Sequence, residues 1–245
     1  MLIHGLGGTA RGIWKNLAPG LEGEFTVVTY DLRGAGRSEI PPGPYSLDDF
    51  VGDLRELVGE LGLDRPALVG HSFGGTIALA YAAGFPAEVS ALVAVGGPTD
   101  LPDAARQAMR ERADTVEEHG MAAVAETVAT NGTAQEFREQ MPDEYDAFVE
   151  VLKANDPTGY AATCRAIADF DMTGRLERIT APVLLMGGIA DGVAPPAAQV
   201  ATAERIADAW YLEIPHCGHI APLERPYVMR DEVHDFLSDR VGAPA

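Results

Sequence analysis

Ser72, Asp191 and His219 are the side chains through which this sequence could transfer an acyl group. Ser72 lies in Ala67-Leu68-Val69-Gly70-His71-Ser72-Phe73-Gly74-Gly75-Thr76, which reads as a short apolar strand, a sharp turn and the start of a helix. Gly70, Gly74 and Gly75 keep β-carbons out of that turn, so the backbone can bend tightly and present the serine on a Gly-x-Ser-x-Gly elbow. The plainer reading is a glycine-rich strand-to-helix turn with Ser72 as a helix cap. A serine is no nucleophile at neutral pH until a base takes its proton, and the base needs a partner to hold its tautomer.

The chain has 6 histidines to supply that base. His219, in His216-Cys217-Gly218-His219-Ile220-Ala221-Pro222, follows the last expected strand, and the glycine before it frees the loop to aim the ring. His216 is the neighbouring alternative, nearer the strand end. His71 reads as a local packing or capping group, and His119 and His234 as surface residues. For the orienting acid, Asp191 sits just past the penultimate strand, in Met186-Gly187-Gly188-Ile189-Ala190-Asp191-Gly192-Val193. Asp100, after the strand ending at Val95, competes with it. The chain order Ser72, Asp191, His219 is that of a known arrangement of such triads.

These residues need a scaffold that brings strand ends together. Apolar strands are expected at Met1–Ile3, Phe25–Tyr30, Pro66–Val69, Val89–Val95, Pro182–Met186 and Trp210–Ile214. Helices are expected from Leu47 to Leu61 behind the Ser46 cap, from Thr76 to Ala83, from Ala197 to Ala207 and from Tyr227 to Leu237. Strands alternating with helices predict a mostly parallel, doubly wound α/β sheet. The alternation stops between Gly97 and Ala181, where four helical stretches intervene: Leu101–Val116, Met121–Ala129, Asp143–Leu152 and Thr158–Phe170. Inserted at the carboxyl ends of the strands, they would cover the crevice as a helical lid before the penultimate strand. The predicted division is a core of residues 1–98 and 173–245 with a lid of residues 99–172.

The opening stretch Met1-Leu2-Ile3-His4-Gly5-Leu6-Gly7-Gly8-Thr9 is a strand emptying into a glycine-rich loop whose N–H groups could meet an oxyanion. It lacks the Gly-Lys-Ser/Thr of a phosphate loop and the Gly-x-Gly-x-x-Gly of a dinucleotide site. Asp31 and Arg33 read as braces of their own loop. With 18 Lys and Arg against 37 Asp and Glu, the formal charge is −19 over 245 residues, which repels nucleic acid and anionic membrane surfaces. No signal peptide or long apolar run is evident, and the expected compartment is the cytoplasm. Cys164 and Cys217 fit no metal-ligand spacing and read as free thiols.

Taken together, His4-Gly5-Leu6-Gly7-Gly8, Asp31-Leu32-Arg33-Gly34-Ala35-Gly36-Arg37-Ser38, Gly70-His71-Ser72-Phe73-Gly74-Gly75, Asp191 and Gly218-His219 resemble the α/β-hydrolase fold superfamily along the whole chain. The resemblance implies nucleophile, orienting acid and base roles for Ser72, Asp191 and His219, and an oxyanion hole from the N–H groups of Leu6 and Phe73. The run from Asp156-Pro157-Thr158-Gly159-Tyr160 through Asp169-Phe170-Asp171-Met172 to Ala181-Pro182 looks like the 3-oxoadipate enol-lactonase and carboxylesterase branch. Family members usually carry a β-hairpin and a complete central strand before the His-Gly loop, so this chain is expected to have its amino-terminal strands missing or truncated and its Leu6 donor loosened.

The implied activity is hydrolysis of a small carboxylic ester or lactone, with no metal or organic cofactor, a small-molecule partner and self-association left open. A serine at the elbow argues against dehalogenases and epoxide hydrolases, which the family resemblance associates with aspartate there. A cofactor-free perhydrolase or a carbon–carbon bond hydrolase would share the triad, and a non-catalytic ligand-binding relative would keep only the pocket. The negative charge favours a neutral ester. A dicarboxylate-like enol-lactone would instead call for a lid cation, for which Arg106, Arg110, Arg138 and Arg165 are the candidates. Met109, Met121, Phe137, Tyr145, Phe148 and Tyr160 are candidate apolar pocket residues.

Overall fold

The computed structural model of the chain describes residues 1–241. Six parallel strands form one sheet in the spatial order β2-β1-β3-β4-β5-β6: β1 (Leu2–Ile3), β2 (Thr29–Tyr30), β3 (Leu68–His71), β4 (Leu92–Val95), β5 (Val183–Gly188) and β6 (Ala209–Ile214). Side chains alternate between two cores along these strands. Leu68, Leu92, Ala94, Val183 and Leu185 face one layer, while Val69, Val93, Val95, Leu184 and Met186 face the other. A sheet covered on both faces is what continuous Val/Leu runs require.

On the first face lie α3 (Leu47–Glu60), held by a reciprocal Ser46–Asp49 capping box, and α4 (Phe73–Gly84). The second face carries α1 (Ala10–Trp14), α2 (Ala18–Leu21) and the closing helix α12 (Pro226–Val241). Between β4 and β5 come α5 (Asp103–His119), α6 (Ala125–Gly132), α7 (Gln135–Gln140), α8 (Pro142–Lys153) and α9 (Pro157–Asp169), with no strand among them. After β5 come α10 (Pro196–Ala203) and, beyond β6, the short α11 (Ala221–Glu224).

The strand order reverses between β1 and β3: the chain leaves β1 for its neighbour on one side, then returns to build the sheet on the other. The crevice outside the carboxyl ends at such a reversal is where open α/β sheets hold ligands. Both the His4–Thr9 loop and the Ser72 turn open there, since Ile3 pairs with both Tyr30 and Gly70.

Some expected boundaries differ. The predicted strand over residues 25–30 forms a ladder only at Thr29 and Tyr30, because β1 offers just Leu2 and Ile3 as partners; Phe25 and Val27 pack into the second core instead. The helix expected at Thr76 begins at Phe73, so Ser72 is its cap residue. The predicted core segment 173–245 runs past the described residues at 242–245. Among the described residues, no helix is long and apolar enough to cross a membrane.

Candidate active site

Ser72 occupies the turn between β3 and α4 with φ 55° and ψ −125°, a sparsely populated backbone conformation for a residue with a β-carbon. Its N–H donates to the Val95 carbonyl at 2.8 Å, tying the strained turn to β4. Ser72 takes the cap position of the helix, but its side chain makes no capping bond to it. Instead Ser72 Oγ lies 2.8 Å from His219 Nε2, and His219 Nδ1 lies 2.8 Å from Asp191 Oδ2. Nδ1 facing a carboxylate carries the proton, so Nε2 is free to accept from the serine hydroxyl.

Asp191 and His219 are 3% and 6% exposed. Burial alone would raise the Asp191 carboxyl, but the His219 ring and N–H donation from Val193 and Ala194 to Oδ1 outweigh it and hold the group below the usual carboxylate range. The acid therefore stays ionised beside the ring. The competing acid, Asp100, points to solvent with a side chain 88% exposed and binds the Leu101 N–H and Arg106. His216 is exposed and pairs with Glu136; His119 and His234 likewise meet surface carboxylates.

His71 does more than pack locally. Its Nε2–H donates to the His219 carbonyl at 2.9 Å across the top of the sheet. Burial, then the neighbouring His219, lowers its pKa to about 3, so the ring is neutral near pH 7. An unfolded histidine takes up its proton near pH 6.5, and the native state refuses it until about 3. Between those values the unfolded state binds more protons, so stability falls as pH drops through this window, by up to about 1.4 kcal/mol per pH unit from this residue. Urea unfolding at pH 7, 5 and 4 should show the parent losing more stability than His71→Gln; parallel losses would refute it.

The loop after β1 approaches the elbow so closely that a β-carbon on Gly5 would stand 2.7 Å from Ser72 Cβ. His4 holds that loop: buried and neutral, it accepts from the Leu32 N–H through Nε2 and donates through Nδ1 to the Gly5 carbonyl. Asp31 accepts from the Ala10 and Arg37 N–H groups, and Arg33 binds Asp53 through two nitrogens; both are braces. Leu6 and Phe73 border the same cavity as Ser72, and neither amide N–H donates to a described residue. Phe73 N–H is moreover the first of α4, where the helix dipole favours negative charge.

The cavity over Ser72 measures about 450 Å³, with Met109, Phe148, Ile167 and Ile220 among its apolar walls. Of the other expected apolar residues, Met121 and Tyr160 pack in a core between α5 and α9, and Phe137 and Tyr145 pack beneath the sheet's second face. The four arginines considered as lid cations are engaged elsewhere. Arg106 binds Asp100 and three carbonyls, Arg110 binds Asp169, Arg165 binds Asp114 and Glu117, and Arg138 is spent on the carbonyls of Thr130 and Thr133. The cation at the cavity is Arg112, which the sequence reading passed over. It is half-buried, it forms no ion pair with a described residue, and no aspartate or glutamate lines the cavity beside it. Helical spacing could have found it, because Ala105, Ala108, Met109 and Arg112 stand at i, i+3, i+4 and i+7 on α5 and all border the cavity.

Known proteins resemble the chain throughout. A 3-oxoadipate enol-lactonase of Acinetobacter baylyi is 30% identical over 230 residues, covering 94% of this chain and 85% of that protein. The solved enol-lactonase of Burkholderia xenovorans LB400 superposes with a TM-score of 0.92 at 30% identity, over 97% of this chain and 90% of that one. A thermophilic esterase of Thermogutta terrifontis, solved with malate bound, gives a TM-score of 0.91 at 28% identity, over 97% and 88%. The family described as alpha/beta hydrolase fold matches residues 1–226. The parallel sheet, its strand order and this match together make the chain a member of the α/β-hydrolase fold family.

Proposed function

We propose that the protein is a serine hydrolase that cleaves a small carboxylic ester or lactone through an acyl-enzyme on Ser72. The observation that carries this reading is the unbroken chain of hydrogen bonds from Ser72 Oγ through His219 to Asp191 at the floor of an apolar cavity. His219 Nε2 takes the serine proton as Oγ attacks the carbonyl carbon, and the negative oxygen meets the N–H groups of Leu6 and Phe73. The tetrahedral adduct collapses, the alkoxide leaves with the proton from Nε2, and an acyl-serine remains. Water, deprotonated by the same nitrogen, then attacks the acyl carbon; the C–Oγ bond breaks, Ser72 Oγ takes the proton back from Nε2, and the acid is released. The helices between β4 and β5 act as the lid, with residues 99–172 covering a core that, among the described residues, comprises 1–98 and 173–241.

A burst of nitrophenolate from p-nitrophenyl butyrate tests the scheme, followed by acid quench and mass analysis of the peptide containing Ser72. The expected result is a butyryl mass on that peptide. Turnover without any adduct at Ser72 would overturn the scheme.

Arg112 bears on the substrate. It is the one Lys or Arg among the residues lining a cavity that is mostly apolar but also holds Asn131; a guanidinium there suits an acyl portion that ends in a carboxylate, and an enol-lactonase among the relatives agrees with that chemistry. A hydrogen bond to a charged group contributes about 1.5–3 kcal/mol. Arg112→Gln should accordingly lower kcat/KM for the p-nitrophenyl hemiester of glutarate by about 10- to 100-fold, and for neutral p-nitrophenyl butyrate by less than about threefold. Equal losses on both esters would refute an acyl-carboxylate role.

A further inference from the structure

Glu224, at the end of α11, is a buried carboxylate to which the acyl-transfer scheme gives no role. It is 4% exposed and pairs with no Lys, Arg or His side chain among the described residues. A buried charge without a cation is costly unless hydrogen bonds replace its water. Three backbone N–H groups do so here. Oε2 accepts from Gly218 at 2.8 Å and Ala134 at 2.9 Å, and Oε1 accepts from Ile220 at 3.0 Å. Burial raises the carboxyl, and these donors oppose the rise.

The donors come from two separate segments. Gly218 and Ile220 flank His219, whereas Ala134 lies in the helical insertion just before α7. The same segment meets the base directly, since the N–H groups of His219 and Ile220 both donate to the Gly132 carbonyl, at 2.9 and 3.2 Å. A β-carbon on Gly218 would stand 2.6 Å from the Ala134 nitrogen, so the two segments are in contact through their backbones. Glu224 Oε2 is the acceptor for both Gly218 and Ala134, Oε1 shares the Ile220 N–H with the Gly132 carbonyl, and a glutamine in place of Glu224 has one acceptor oxygen.

We infer that Glu224 is a positioning residue for the general base, fixing His219 against Ser72 by strapping residues 218–220 to lid residues 132–134. The inference rests on the assignment of His219 as that base. The strap explains how a ring on a glycine-preceded loop is held 2.8 Å from both Ser72 Oγ and Asp191. It also makes the alignment of the base depend on the lid being in place.

Two variants test it. Glu224→Gln preserves shape but turns an NH₂ group toward at least one N–H donor. Ala134→Pro acts from the lid side: φ −64° at Ala134 and φ −118°, ψ 146° at Thr133 both admit proline. Its ring removes the lid donor and pushes the carboxylate back. Misplacing a reacting group by 1 Å can cost about 100-fold. We expect kcat for p-nitrophenyl butyrate to fall by about 10- to 100-fold in both variants with KM within about threefold. Phosphonylation of Ser72 by a fluorophosphonate should slow by the same factor, measured on protein shown to be folded. A purely structural role would lower the melting temperature while the folded protein labelled at the parental rate, and that result overturns the inference. Should Glu224→Gln fail to fold, Ala134→Pro decides by the same criterion. A parent that does not label at Ser72 overturns the acyl-transfer scheme itself, and the positioning role with it.

Discussion

Replacing Ser72 by alanine should leave the fold intact and lower kcat/KM for p-nitrophenyl butyrate by about 10⁴-fold or more. The substitution keeps the β-carbon and with it the backbone at φ 55°, and it removes an oxygen whose one hydrogen-bond partner among the described residues is His219 Nε2. That nitrogen then faces the cavity, where water can reach it, so no buried group loses its only partner and stability should change by less than about 1 kcal/mol. The lost rate is large because no other group supplies the attacking oxygen. On the proposed scheme, what remains is the stabilisation that the Leu6 and Phe73 amides would give to direct attack by water. Groups that act as a unit are also non-additive: Ser72→Ala with His219→Ala should lose little more than Ser72→Ala alone. Circular dichroism of each variant beside its kinetics checks both points. A folded Ser72→Ala protein that kept more than about one hundredth of the parental rate would remove Ser72 from the reaction.

The elbow was legible in the sequence because its geometry demands residue types that little else demands. A serine in a strained turn between a buried strand and a helix needs small neighbours, and glycines at 70, 74 and 75 are visible without coordinates. The meeting of His219 and Asp191 with Ser72 was legible for a topological reason: in a parallel sheet every loop after a strand opens at the same edge, so residues distant in sequence are delivered to one crevice. What the pattern left open between Asp191 and Asp100 is decided in space by burial, since one is enclosed against His219 and the other stands in solvent. The helical insertion between β4 and β5 was harder to read. Its helices were detectable, but which arginine faces inward depends on the rotation of α5 about its axis, and Arg106, Arg110 and Arg112 differ there by only a fraction of a turn. Glu224 left no signal, because an acid followed by Arg225 and Pro226 in an acidic chain reads as surface until the partners of its oxygens are known. The second strand was overcalled for a related reason: β-branched and aromatic residues from Phe25 onward mark a segment that packs, while ladder pairing needs a neighbour of equal length.

Gly74→Ala should be among the most destabilising single changes in the protein, although it adds one methyl group to a helix. A β-carbon at Gly74 would stand 2.1 Å from the Ile3 carbonyl oxygen and 2.6 Å from that of His4. These are backbone atoms of β1 and the loop that follows it, and they cannot swing aside as the end of a long side chain would. On the facing strand, a β-carbon at Gly70 would lie 2.2 Å from the Gly74 carbonyl oxygen, so the pair lets α4 lie directly on the sheet with backbone against backbone. Relieving the overlap means lifting the start of α4 away from β1, which carries the Phe73 N–H, Ser72 and the His4–Leu6 loop out of register together. Overpacking a tight core typically costs 1–3 kcal/mol, and an overlap with fixed backbone on both sides belongs at or above the top of that range, about 3 kcal/mol or more. On the proposed scheme, catalysis should suffer beyond the loss of folded protein, by about 100-fold, because the proposed oxyanion donors and nucleophile would move relative to each other. Gly52→Ala is the matched control: it sits inside α3 with no atom within 4 Å of the added carbon, and alanine's better helix propensity should stabilise the protein by roughly 0.5–1 kcal/mol. Urea unfolding midpoints of the two variants, with ester turnover per folded molecule, separate propensity from contact. If Gly74→Ala matched the parent within about 1 kcal/mol and kept its activity, close approach of α4 to β1 would not be what holds the elbow in place.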